Sequence, residues 1–512
     1  MSEGASMSRF GSILWPAGSR AALAVDAQTV RDLNLEEIFT IVTRGDPILA
    51  RYVRAPVADL DTAMYRQEIF RDFGRTELRE PFEEFATQLR IVHAFATASA
   101  EQHHRSTEHR LYLDAVLGYG SALRALSAAL SAVPGTSRGL RSWQIYLETY
   151  LATEQFEDLM DAATRVQARL DAVRYTISID GQQVAVARDD NAQDYSATVE
   201  QAFAPLVYGF RPDPAPPEIL STTVHYVEEQ IADRVAELFP AEFAELAQFR
   251  AAHPEFLDPS VESFYQELRF YLSFLEFVDH LTGEGFTFSS PRLTERFEEI
   301  AVTGGYDLAL AVRLRGAEQS VVPNDFRLVG SERVLVVTGP NQGGKSTFAR
   351  MFGQLAYLAA LGCPVPAASA TLVLADRLST HFERTESVEH SAGKLHDELT
   401  EVRGAIRACT ARSLIIMNET FSSTTTADAL QIGGAVLRRI IERGAVAVYV
   451  TFLDELANLH PAVVSMVAGV GDDPTTRTFR IVRRPADGKA HAAAIADLFG
   501  LGYAAIAERI AR

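Results

Sequence analysis

Ten residues, TGPNQGGKST at positions 338–347, restrict what this chain can fold into more than any other stretch of it. Gly339, Pro340, Asn341, Gln342, Gly343, Gly344, Lys345 and Ser346 fill the pattern G-x-x-x-x-G-K-[ST], and Thr347 follows at once. Before them, the β-branched apolar run 334–337 reads as a buried parallel strand. After them, 347–361 reads as a helix stopped by Gly362 and Pro364. Strand, glycine loop and helix in that order let backbone N–H groups close around a polyphosphate, and the helix N-terminus adds partial positive charge. Lys345 supplies a point charge for the β- and γ-phosphates, and Ser346 a hydroxyl ligand for Mg²⁺. The expected ligands are therefore ATP, or another nucleoside triphosphate, and Mg²⁺.

Downstream, the pattern alternates between strand and helix. Strands are expected at 334–338, 372–374, 414–417, 446–450 and 479–482, with helices at 347–361, 393–409, 427–443 and 453–459. That alternation implies a mostly parallel sheet covered on both faces. The run Ser413-Leu-Ile-Ile-Met-Asn-Glu419 ends a buried strand in two polar residues. In P-loop ATPases this place supplies a metal-ordering carboxylate and then a glutamate that polarises the attacking water. Glu419 is thus the candidate general base. Asn418 stands in the first position; it can bond a metal-bound water but brings no charge, so Mg²⁺ would be held less tightly. Thr424-Thr-Thr-Ala-Asp428 reads either as an N-cap cluster or as a nucleotide-dependent dimer contact. Thr451, ending the next strand, sits where such folds place a γ-phosphate sensor.

The first 300 residues are mostly long amphipathic helices, with 111–133 and 144–173 the clearest and Pro134-Gly135 as a turn. Residues 1–30 read as a loose arm. At 175–187 the period changes from 3.6 to 2 around Asp180-Gly181, a hairpin signal. Helices are expected to resume near Tyr195, pause at the proline-rich 211–217 and continue to about Leu281. His103, His104 and His109 do not make a metal site, because adjacent histidines cannot share a helix face; a solvated loop is expected. With 47% hydrophobic and 22% charged residues, 512 residues suit a soluble protein of several domains. A net charge of −19 argues against coating nucleic acid by bulk electrostatics, although a local basic stripe would still bind DNA. Two cysteines, no apolar run of membrane-spanning length and no signal-peptide core in residues 1–20 point to the cytoplasm and no membrane.

The loop TGPNQGGKST resembles the TGPNxGGKST loop of the MutS family of DNA mismatch-repair ATPases. The likeness extends through Gly362-Cys-Pro-Val-Pro-Ala367, Asp376-Arg377, residues 413–419, Thr424-Thr-Thr-Ala-Asp428 and Thr451-Phe-Leu-Asp-Glu-Leu456. Upstream, Asp46-Pro-Ile-Leu-Ala with Pro56, Asp59 and Arg66-Gln67 is similar to the start of the family's helical core and lever domain. The resemblance covers most of 35–505 and implies a multidomain protein. An arm (1–30) would precede an all-α core and lever domain with a small β hairpin (31–304), then an α/β P-loop ATPase domain of ABC-like type (305–512). It implies a homodimer with ATP sites at the subunit interface, coupled through levers to a clamp around DNA, the 175–187 hairpin being a remnant of the clamp tip. It also implies that Gly339, Pro340, Asn341, Gln342, Gly343, Gly344, Lys345, Ser346, Thr347 and Asn418 bind nucleotide. Ser346, Asn418 and Glu419 would hold the metal, and Lys345, Glu419 and Thr451 would serve catalysis. Ser391 and Lys394 would contact the partner's ATP.

Departures from the family pattern make hydrolysis slow by expectation. The family's aspartate is Asn418, and the histidine after the threonine is Phe452. Residues 390–398 keep Glu398 but place Gly393 near the expected serine. About 35 residues precede the core, so the mismatch-reading and connector domains are expected to be absent, and the dimerisation helices after Gly502 are expected to be short or missing. A second reading, from another class, is a nucleotide-gated dimerising scaffold with weak ATPase and a non-DNA partner. An SMC-type protein fits worse, since no heptad pattern is evident.

Overall fold

The computed structural model describes residues 10–16, 21–180, 183–189, 226–317, 320–383, 394–470 and 477–486. Contacts group the chain into two compact units. One contains Met1–Phe10, Arg75–Thr136 and Leu140–Leu268; the other contains Gly11–Gly74, Ser137–Gly139 and Arg269–Arg512. The first helices, within Gly11–Gly74, group with Arg269–Arg512. The N-terminal region is helical and the C-terminal part carries mixed α/β sheets. Among the described residues, no helix is long and apolar enough to cross a membrane.

The second unit begins with a packed segment where a loose arm was expected. Ile13, Leu14 and Leu23 are buried, and Tyr271 Oη donates to Ile13 O at 2.7 Å. Apolar side chains in the segment explain the difference: they cannot stay in water beside an available core. Four helices follow, α1 (Ala27–Asp32), α2 (Leu35–Thr43), α3 (Pro47–Val53) and α4 (Leu60–Asp72). Asp46 caps α3 by accepting from Ile48 N and Leu49 N ahead of Pro47, and Asp59 caps α4 by accepting from Thr62 N. Arg66 of α4 is buried. Its Nε donates to Leu14 O at 3.1 Å, its Nη1 to Ala55 O and Leu361 O at 3.3 Å, and its guanidinium lies 4.3 Å from the Trp15 ring. Gly362 must be glycine here. Its φ is +76°, and a Cβ would come within 2.6 Å of Arg66 Cβ. Thus Arg66 and Gly362, far apart in the chain, meet in one packing contact, while Gln67 beside Arg66 donates to Pro291 O at 3.0 Å.

The first unit is built on α5 (Thr76–Glu101) and α6 (Arg105–Ala132), which pack against each other. It continues through α7 (Arg138–Leu151), α8 (Glu154–Asp171), the strands β1 (Tyr175–Asp180) and β2 (Gln183–Arg188), α9 (Tyr226–Leu238) and α10 (Pro240–Ala252). Then α11 (Pro259–Gly283) begins in this unit and ends in the second. The buried Trp143 ring stacks on Phe264 with centroids 3.6 Å apart and planes 2° off parallel. Gly120 lets α6 approach α8, since a Cβ there would lie 2.0 Å from Met160 Sδ. The expected hairpin is present as an antiparallel pair running from Tyr175↔Arg188 to Asp180↔Gln183, with Tyr175, Ile177 and Val184 exposed. Its turn at 181–182, the helices expected near Tyr195 and the proline-rich 211–217 lie outside the described residues.

In the second unit, β3 (Arg292–Thr294), β4 (Glu299–Gly305), α12 (Leu308–Arg313), β5 (Asn324–Val329) and β6 (Val334–Thr338) lead to α13 (Lys345–Ala360). Then come β7 (Ser369–Val373), β8 (Leu378–Phe382), α14 (Lys394–Ala408), β9 (Leu414–Asn418), α15 (Thr426–Arg443), β10 (Val446–Val450), a 3₁₀ turn (Asp454–Asn458), β11 (Val463–Val470) and β12 (Arg477–Arg483). Two sheets result, one of order β12-β11-β6-β10-β9-β8 and one of order β3-β7-β4-β5. In the larger sheet β11, β6, β10, β9 and β8 are parallel, and β12 runs antiparallel to β11. The strand expected at 372–374 is found as β7, but in the smaller sheet between β3 and β4. The 453–459 helix is 3₁₀ and shorter. Val334–Val337 and Val446–Val450 are almost wholly buried, as central strands covered on both faces require.

A buried polar network ties α13 to its surroundings. Gln354 Nε2 donates to Leu33 O at 2.9 Å and to Asp307 Oδ1 at 2.8 Å, while Gln354 Oε1 accepts from Leu308 N at 2.7 Å. Arg350 Nε pairs with Asp307 Oδ2 at 3.2 Å.

Candidate functional site

Because β10 lies between β6 and β9, the chain segments leaving these three parallel strands emerge at one edge of the sheet. They carry the glycine loop, Asn418-Glu419 and Thr451. Ligands of open parallel sheets rest at such carboxyl ends. Two glycines make the loop possible. Gly339 at φ +111° and Gly344 at φ +90° hold left-handed backbone, and a Cβ on Gly339 would press within 3.1 Å of Ala468. Gln342 also takes φ +61°.

Lys345 opens α13 and is only 4% exposed. Its Nζ donates to Gly339 O at 3.0 Å, Pro340 O at 3.1 Å and Asn341 Oδ1 at 3.3 Å, inside its own loop. Burial pushes its pKa down; the Glu419 carboxylate, 4.0 Å away, works against that, and Arg477 adds to the lowering. Arg477 Nε donates to Asn341 O at 3.2 Å. Ser346 Oγ donates to Asn418 Oδ1 at 2.9 Å. These two oxygens suit a hard divalent cation, but both are neutral, so Mg²⁺ would be held there without a carboxylate. Thr451 is buried, its N–H donates to Val337 O at 3.0 Å and its Oγ1 accepts from Leu453 N at 3.1 Å. Phe452 beside it is 53% exposed.

A cavity of about 590 Å³ runs along this edge. It is lined by Gln342, Gly344, Lys345, Ser346, Thr347 and Glu419 together with apolar groups including Leu310, Leu314, Val322 and Phe479. A lining of both polar and apolar groups suits a polyphosphate joined to a flat base. The apolar part of the lining was not legible in the sequence. Its residues read as ordinary helix and strand positions, and the only oddity, the left-handed Phe479 (φ +56°), has no sequence signal. Asn324 braces Phe479 by donating to its carbonyl at 3.2 Å while accepting from Ile481 N at 2.6 Å.

The Thr424–Asp428 cluster works as a helix cap. Thr425 Oγ1 accepts from Asp428 N at 3.2 Å and donates to Asp428 Oδ2 at 2.8 Å. Ser391 and Gly393 lie outside the described residues, and Lys394 is the first residue of α14. His103 and His104 lie in the turn between α5 and α6, as expected, but His104 is paired there: its Nδ1 is 2.9 Å from Asp233 and its Nε2 3.2 Å from Glu229. Among the described residues, no group of three or more such side chains is arranged to hold a metal.

Residues 335–507 match the family model described as MutS domain V. Over 295 residues the chain is 27% identical to the DNA mismatch repair protein MutS of Shouchella clausii, covering 56% of this chain and 33% of that protein. It is 31% identical over 183 residues to MutS of Chlorobium chlorochromatii, 36% of this chain and 21% of that one. The DNA mismatch repair protein MutS 2 of Halobacterium salinarum is 38% identical over 140 residues, 27% of this chain and 16% of the relative. The chain therefore spans a third or less of the length of these relatives.

Proposed function

This chain is a MutS-family protein through its domain V, and from that premise we propose that it binds ATP at the 338–347 loop, hydrolyses it slowly and uses it to clamp DNA as a homodimer in mismatch repair or a related repair process. The observation that carries this reading is that Lys345, Ser346 and Glu419 line one cavity while Asn418 accepts a hydrogen bond from Ser346. Loop N–H groups and the α13 N-terminus would hold the phosphates. The ammonium of Lys345, now bonded to its own loop carbonyls, would turn to the β- and γ-phosphate oxygens. Ser346 and Asn418 would hold Mg²⁺, which supplies charge neutralisation at the phosphates. Glu419 would take the proton of the water that attacks the γ-phosphorus as the bond to ADP breaks. The ABC-like identity of the domain and the roles of 31–304 as core and lever belong to the same proposal.

Slow hydrolysis follows from two places in the site: Asn418 brings no charge, and Phe452 carries no titratable group. Asn418→Asp is expected to lower the Mg²⁺ concentration needed for half-maximal ATP binding by about tenfold, because a carboxylate replaces a neutral ligand. Titrating Mg²⁺ at fixed ATP checks this; an unchanged midpoint removes residue 418 from the metal site.

The deciding experiment measures ATPase rate and binding with homoduplex, mismatched and branched DNA across a salt series. Affinity that falls steeply with salt, with turnover changed by DNA, supports the clamp. The net charge of −19 favours a second reading, a nucleotide-gated scaffold for a non-DNA partner. Dimerisation on ATP with no DNA binding at any salt would establish that one instead.

A further inference from the structure

Glu419 opens a turn whose backbone is unusual. Its φ is +53° and that of Phe421 is +65°, both left-handed in residues that carry a Cβ. Such backbone persists only where neighbouring groups over-determine it. The Glu419 N–H donates to Val450 O at 2.9 Å, Tyr449 Oη to Thr420 O at 3.4 Å and Thr420 Oγ1 to His381 O at 3.4 Å. A further donor of the turn meets a charge: Glu398 Oε2 accepts the N–H of the fully buried Phe421 at 3.1 Å. Glu398 is itself only 6% exposed and belongs to α14, the helix that starts just after Ser391. A carboxylate accepting a backbone N–H in a buried place makes one of the stronger neutral-to-charged hydrogen bonds.

We propose that Glu398 is a positioning residue for hydrolysis: by holding the Phe421 N–H it fixes the turn that aims the Glu419 carboxylate into the cavity beside Lys345, and it ties that turn to α14. The proposal rests on the reading of Glu419 as the base. Glu398 is not among the residues that line the cavity and would act through the turn, so its loss should appear in kcat and leave nucleotide affinity intact. A carboxylate displaced by about an ångström commonly forfeits around a hundredfold in rate.

The test uses the full chain with Glu398→Ala and Glu398→Gln. The alanine variant is expected to bind ATP within about threefold of the parent while kcat falls at least about tenfold. The glutamine variant keeps an acceptor oxygen and should recover most of that rate. Amide hydrogen exchange at Phe421 in nucleotide-free protein should speed up in the alanine variant and return toward the parent rate in the glutamine variant. Parent-like kcat and Phe421 exchange in the alanine variant overturn the proposal, and so does an equal loss of ATP affinity and turnover. If Glu419→Ala turns over as the parent does, the base assignment fails, and Phe421 exchange still decides whether Glu398 holds the turn.

Discussion

Lys345→Ala is expected to abolish ATP binding at micromolar to millimolar nucleotide, a loss of about a hundredfold or more in affinity. The ammonium is almost fully buried among Gly339 O, Pro340 O and Asn341 Oδ1, with Glu419 at 4.0 Å. In that place it is desolvated and has carbonyl partners that a triphosphate can outcompete. Hydrogen bonds to charged groups contribute about 1.5–3 kcal/mol each, and about 1.4 kcal/mol is a factor of ten, so two phosphate contacts account for the expected loss. Equilibrium binding of a fluorescent ATP analogue checks it, and unchanged affinity overturns the site. The direction of the lysine's pKa adds a pH dependence. Burial lowers it in the free protein, whereas a bound polyanion raises it. The lysine's contribution to ATP affinity should therefore be full below its free-state pKa, which lies below the ordinary 10.5, and be lost as pH rises through the bound-state value.

Glu419→Ala should have the opposite signature: ATP binds and stays. The carboxylate lines the cavity and is about one-third exposed, as a group that must reach a water requires. Removing a general base lowers turnover by about 10²–10⁴-fold. Affinity should hold or rise, because Lys345 loses a competing anion. Single-turnover hydrolysis with filter-bound ATP reads both quantities at once. Turnover equal to the parent would remove Glu419 as base.

Much of this site was legible in the sequence because its residues follow strands that are apolar on both faces. Val334–Thr338 and Val446–Val450 coincide with expectation, and residues 414–417 fall one short of β9. A central parallel strand is a run of Val, Ile and Leu with no polar interruption, and nothing else of that length looks like it. Leu378–Phe382 escaped notice because it is the edge strand, and its Ser379, Thr380 and His381 break the run. Asn324–Val329 and Glu299–Gly305 escaped for a related reason, since each turns only alternate residues inward. The apolar part of the cavity lining was hidden because Leu310, Val322 and Phe479 come from α12, from the segment before β5 and from β12, and only the fold brings them together. The threonine cluster could be a cap or an interface by sequence; the hydrogen bonds of Thr425 to Asp428 show the cap.

The helix that starts at Lys345 is fastened a few turns further on by Gln354, which grips Leu33 O, Asp307 Oδ1 and Leu308 N together. A side-chain amide clasped from three directions permits neither rotation nor sliding of one partner alone. An axial shift of this helix would strain the bonds to Leu33, Asp307 and Leu308 together. The amide is thus a shared anchor that joins the helix behind the loop to the backbone at Leu33, 321 positions away in sequence, and to the turn at 307.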